Sequence, residues 1–170
     1  MKIQKLIPAK ATLPEEQSDA IVVSFGPESK EHLRGKLFSV VIRKRIPTKS
    51  ASYKWLYFHI KNPIGAVFAR AKIRRIFTAT KDEALARAKE MNMMPAEIAA
   101  YIGNDETIGC YELEAFQLAS KPITKAALAT RMIYHPPQSF FILSRSAKTI
   151  VDEMAGFSVA TSTPLTKVVQ

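Results

Sequence analysis

Cysteine is nearly absent: Cys110 is the only one in 170 residues. No disulfide can form within the chain, and nothing offers the four-ligand spacing of a structural zinc site. That usage fits a reducing compartment, and a cytoplasmic location is the expectation. The six glycines are scattered singly, so there is no glycine-rich phosphate loop and no dinucleotide fingerprint. Nucleotide-hydrolysing and dinucleotide-dependent enzymes are disfavoured, and no cofactor or metal is implied. No apolar run approaches the ~18 residues of a membrane span. Pro8 interrupts the lysine-bearing start before an apolar segment of signal-peptide length develops, so secretion and membrane insertion are not expected. Repeats, heptads and low-complexity tracts are missing as well.

Acidic residues are also scarce. Fifteen Asp and Glu stand against twenty-five Lys and Arg, a formal charge of +10. Such an excess sets up a positive field that reaches about one Debye length, roughly 8 Å at physiological salt. Polyanions are the natural partners. A hydrophobic content of 47% is enough to bury one substantial core.

Along the chain, residues 1–18 mix Lys, Pro, Glu and Gln without a period and read as a mobile arm. A strand is expected over residues 20–25, stopped by Gly26-Pro27. Ser29 can cap a short helical turn ending at Gly35, and residues 37–45 read as a strand closed by Pro47. Beyond a surface loop at 48–53, the residues from 55 to 61 alternate. Leu56, Phe58 and Ile60 form the core face, and Trp55, Tyr57, His59 and Lys61 the opposite one. Asn62-Pro63-Ile64-Gly65 has the residues of a type I turn, which folds residues 66–77 back antiparallel. There Val67, Ala69, Ala71 and Ile73 share one side, and Phe68, Arg70, Lys72 and Arg74 the other.

Thr80-Lys81-Asp82-Glu83 is a capping box that starts a helix to about Met91. Pro95 and Gly103 bracket a second helix with Ile98, Tyr101 and Ile102 on one stripe. Residues 108–118 read as a strand, and Thr124 caps a helix to about Met132. Residues 140–143 are a short apolar segment, and a last helix over 147–155 stops at Gly156. The pattern is that of a single α+β domain over residues 19–156, with a core at 20–125, a C-terminal extension and a weakly structured tail at 157–170.

Certain of these residues carry a resemblance. The run Gly35-Lys36 through Val40-Val41-Ile42-Arg43-Lys44-Arg45-Ile46-Pro47 is followed by Tyr57-Phe58-His59-Ile60-Lys61-Asn62-Pro63-Ile64-Gly65-Ala66-Val67. Two short helices come next, then a strand ending near Lys121-Pro122-Ile123. Together they resemble the ASCH domains of the PUA-like superfamily, related to PUA, EVE and YTH modules, over roughly residues 20–125. The resemblance implies a strongly curved, mostly antiparallel β-barrel with flanking short helices, and a cleft that receives RNA or a modified nucleobase. One ASCH branch hydrolyses an acetylated cytidine with a lysine, a threonine and a later glutamate. Counted back from Arg43, the lysine and threonine positions hold Phe38 and Val41; counted forward from Gly35, only Lys36 is supplied, and Glu90 and Glu97 lie in the helical region.

Read from the residues, the nucleic-acid-binding candidates are Arg43, Lys44, Arg45, Lys54, Trp55, Tyr57, His59, Arg70, Lys72 and Arg74. Cations at a strand end reach phosphate oxygens, and the stripe Arg70, Lys72, Arg74 can track a backbone. If the turn pairs the two strands, the rings of Trp55 and Tyr57 stand beside that stripe, as single-strand binders require. The same stripe also fits the wet face of a half-buried strand, and the rings also fit a core. A non-catalytic module for RNA or a single strand, in preference to duplex DNA, is the leading expectation. A hydrolase of modified nucleosides using Lys36, Tyr57, His59, Glu97 or Glu112, and a domain that recognises an acidic protein, are the alternatives.

Overall fold

A computed structural model describes residues 17–48 and 52–157. Most of the expected arm, the middle of the 48–53 loop and all but the first residue of the expected tail lie outside the described residues. The elements run β1 (Gln17–Phe25), α1 (Ser29–Gly35), β2 (Val40–Arg43), β3 (Trp55–Ile60), β4 (Ala66–Thr80), α2 (Lys81–Ala86), α3 (Ala88–Met91), α4 (Pro95–Ile102), β5 (Thr107–Thr124), α5 (Lys125–Ala129), β6 (Phe140–Ser144) and α6 (Arg145–Ala155). The expected α+β class holds. Gln17 and Ser18, read as part of the arm, instead begin β1, where the Ser18 hydroxyl donates to Leu143 O at 2.8 Å.

The six strands form one sheet in the order β2-β5-β4-β3-β1-β6. β1 and β3 are parallel; the other four pairings are antiparallel. The ring of strands is not closed: among the described residues no ladder joins β2 to β6. β2 is only four residues long, and at its end Arg43 Nη2 donates to Ser24 O of β1 at 3.1 Å. The sheet order sets three strands between those two residues.

Both faces of the sheet are covered. On one, Ile21, Val23, Leu56, Phe58, Ile60 and Ala71 pack into a single apolar cluster with Phe68 and Tyr111. On the other, Ala20, Val22, Tyr57 and Val67 pack against Leu128, Val151, Ala155 and Phe157 of the C-terminal segment. A third cluster lies beneath α2, α3 and α4. The turn between β3 and β4 contains a cis Asn62–Pro63 bond, with Ile64 N donating to Lys61 O at 3.2 Å. It starts one residue before the expected type I turn and still returns the chain antiparallel. Gly65 has φ +55°, a conformation that a side chain disfavours.

Local signals explain the helices. The Thr80 hydroxyl accepts from Glu83 N at 3.3 Å, and the Glu83 carboxylate accepts from Thr80 N at 2.8 Å, completing the capping box. The expected single helix to Met91 is split at Arg87, which leaves the helical conformation with ψ 18°. Pro95 opens α4, and the Glu97 carboxylate accepts from Met94 N at 2.7 Å. Among the described residues no helix is long and apolar enough to cross a membrane.

Candidate functional site

Arg43 ends β2 opposite Gly109 of β5. Glycine is required there: a Cβ on Gly109 would overlap Ile46 and lie 2.8 Å from Arg43 O. That close approach seats the Arg43 backbone, and the guanidinium then lies 4.1 Å from the centroid of the Phe25 ring. Its Nη1 donates to Ile42 O at 2.7 Å and Nη2 to Ser24 O at 3.1 Å. No carboxylate pairs with it among the described residues. Burial lowers its pKa from the usual value, opposed in part by Tyr101 and Tyr111; a guanidinium nonetheless remains charged at any physiological pH.

This cation lines a cavity of about 430 Å³ between the end of β1, the start of α1, β2, and the α3–α4 connection. Phe38 and Val41 supply hydrocarbon wall, Tyr101 an aromatic ring, and Glu97 a carboxylate. Lys61 and Gln138 also line it. The segment bearing Gln138 is tied down because the Ser24 hydroxyl donates to Pro137 O at 2.6 Å. Apolar faces, a fixed donor group and a few polar atoms are the makings of a small-molecule pocket. Phe38 and Val41, where the resemblance implies lysine and threonine, present only carbon to it.

The sequence candidates divide into groups that do not meet in one hollow. Arg43 lines the cavity, and Lys44 and Arg45 follow it at the exposed end of β2. Lys44 pairs with Asp105 at 3.3 Å and lies 5.9 Å from the centroid of the Tyr101 ring. Lys54, Lys72 and Arg74 are exposed. Lys72 stands opposite Glu114, with 3.9 Å between charges, and Arg74 lies 3.5 Å from Glu112.

The expected open platform of rings beside a basic stripe is corrected by the structure. Tyr57 is fully buried, Arg70 is 3% exposed and His59 2%. For Tyr57 and Arg70 the reason is α6: Tyr57 Oη donates to Asp152 Oδ1 at 2.5 Å, Arg70 Nη1 donates to the same oxygen at 3.2 Å, and Lys148 Nζ reaches Asp152 Oδ2 at 2.7 Å. Burial and Asp152 push the Tyr57 hydroxyl far above the ordinary phenol range. Trp55, partly buried, has the Arg70 guanidinium 4.2 Å from its ring centroid. Aromatic and cation do converge, but inside, as a clamp on the last helix. His59 Nδ1 lies 2.9 Å from Tyr134 Oη, and burial with the charge of Lys125 holds its pKa below the usual value.

Tyr101 packs against the core stripe of α4 as expected and also forms cavity wall, and Gln138 carried no sequence signal because it lies in an irregular segment. Cys110 is buried, as expected of an apolar filler, and its thiol is pushed up to about 11.

Solved structures share this fold. A serine-to-alanine variant of the ASCH protein of Zymomonas mobilis aligns with TM-score 0.73 at 20% identity, covering 82% of this chain and 98% of that one. The ASCH structure from the same organism without substitution aligns at 0.71 and 20%, covering 80% and 95%. The N-terminal domain of Staphylothermus marinus McrB aligns at 0.54 and 8%, covering 83% and 98%. No family model matches the chain, and neither does any curated protein.

Proposed function

We propose that this chain, whose fold is that of an ASCH domain, is a non-catalytic nucleic-acid-binding module that takes a single base of RNA or another single strand into the Arg43 cavity. The observation that carries the reading is the Arg43 guanidinium, turned to a lined cavity and paired there with carbonyls and a ring instead of a carboxylate. A guanidinium offers donors to base edges, and Glu97 offers an acceptor. Lys44 and Arg45 follow directly on the same strand end, where they meet the phosphates on either side of the inserted base. Lys54, Lys72 and Arg74 serve as outer contacts for a longer strand. A single strand is preferred over a duplex because a base must leave its stack to enter a cavity of this kind. Hydrolysis is not part of the reading, since no nucleophile stands at Phe38 or Val41. A cytoplasmic setting belongs to the same proposal.

The test is fluorescence anisotropy with a labelled single-stranded RNA of mixed sequence, in 50 mM salt, on the wild type and on Arg43→Ala. Circular dichroism serves as the fold control. Loss of a charge-assisted contact costs roughly 1.5–3 kcal/mol, so affinity should fall at least about tenfold. A folded Arg43→Ala protein with unchanged affinity, or a wild type that binds neither RNA nor DNA, would overturn the reading.

A further inference from the structure

A second cavity, of about 410 Å³, lies at the β3–β4 turn. It is lined by His59, Lys61, Asn62, Gly65, Lys125 and Pro136, which bring two ammonium groups and an imidazole and no carboxylate. Neither lysine has an acidic partner among the described residues. His59 is 2% exposed, yet it lines this cavity. Its Nδ1 is engaged by the Tyr134 hydroxyl at 2.9 Å. With that hydroxyl donating to Nδ1, a neutral ring carries its proton on Nε2, which has no partner among the described residues and, unlike Arg87 Nη1 and Tyr111 Oη, is not sealed from solvent, so it is a donor open to the cavity. The charge of Lys125 is felt at the ring, since it helps hold the imidazole in the neutral form.

The two cavities are neighbours. Lys61 lines both. Pro136 lines the second and Gln138 the first. Two residues of chain span at most about 7 Å, and the Ser24–Pro137 bond fixes the middle of that segment as a wall.

We propose that the second cavity is a phosphate subsite, with Lys61 and Lys125 as charge partners and His59 Nε2 as the neutral donor, holding the phosphate adjacent to the base in the Arg43 cavity. The inference rests on the proposed nucleic-acid function for its biological ligand, but the phosphate chemistry stands without it. Two ammonium groups attract any phosphate, and the one preorganised donor favours an oxyanion over chloride.

Two measurements separate these layers. In the first, inorganic phosphate is titrated into isotope-labelled protein and followed by NMR. Amide shifts at Lys61, Asn62, Gly65 and Lys125, saturating in the wild type and lost in Lys125→Ala, support the subsite. Both lysines are exposed, so these variants should fold, and Lys61→Ala provides a second check. Absence of any saturable shift at these amides up to tens of millimolar phosphate overturns it. In the second, single-stranded RNA binding is compared for the wild type, Lys125→Ala and Arg43→Ala. A tenfold loss in Lys125→Ala, with the salt slope reduced by about one, assigns the phosphate to the nucleic-acid strand. Loss in Arg43→Ala with no loss in Lys125→Ala retains the base cavity and overturns the strand subsite. Phosphate binding without any RNA binding supports a site for small phosphate compounds and sinks the nucleic-acid reading instead.

Discussion

At the scale of single residues, His59 illustrates how burial decides chemistry. Its folded pKa lies below the ordinary 6.5 because burial, and then Lys125, disfavour the cation. The sign follows directly. Between the folded pKa and about 6.5, the unfolded chain binds a proton that the folded chain refuses, so stability rises with pH through that window. The contribution is complete above pH 6.5 and is lost as pH falls below it. Urea unfolding at pH 7.5, 6.5 and 5.5 should show the wild type weakening as acid is added, and His59→Gln should flatten that slope. Equal slopes in the two proteins would contradict the assignment. His59 also shows what was legible in sequence: its place on the second face of the strand is readable from alternation, but alternation leaves open whether that face meets solvent or a core.

At the scale of elements, strands and caps were readable because their signals are local. The capping box at Thr80, the strand at Trp55 and the proline start of α4 each depend on residues a few positions apart. What hides Tyr57 is Asp152, 95 positions away, and no local pattern reports a helix arriving from that distance. β4 was misread for a related reason. A register shift between Val67 and Ala69 breaks the two-residue period, so Val67 joins the cluster under α6 while Ala69 joins the other. The docking of α6 is itself testable. Removing one partner of a buried ion pair leaves its charge uncompensated, at a cost of about 3–5 kcal/mol. Asp152→Ala should therefore lower the urea midpoint sharply, whereas Tyr57→Phe, which removes one hydrogen bond, should cost only about 1–2 kcal/mol. A loss below about 1 kcal/mol for Asp152→Ala would show that the clamp contributes little.

For the molecule as a whole, the excess of positive charge was plain from composition, and its distribution was not. Among the described residues, Glu112, Glu114, Asp105 and Glu153 neutralise part of the basic surface by pairing across strands and loops. If about six phosphates are still contacted, RNA affinity should fall roughly a thousandfold between 50 and 200 mM salt. A series of anisotropy titrations across that range measures the slope directly, and a slope near zero would mean that the net charge plays no part in association.

The aspartate of α6 also bears on where the chain can be truncated. A fragment ending near residue 125 keeps the segment that resembles known domains, yet it strips the lid from an arginine and a phenol placed deep on the sheet. Those two groups would then face solvent amid bared hydrocarbon, a recipe for sticky, poorly behaved protein. Residues 126–157 supply the apolar cover of that face, so such a cut bares it.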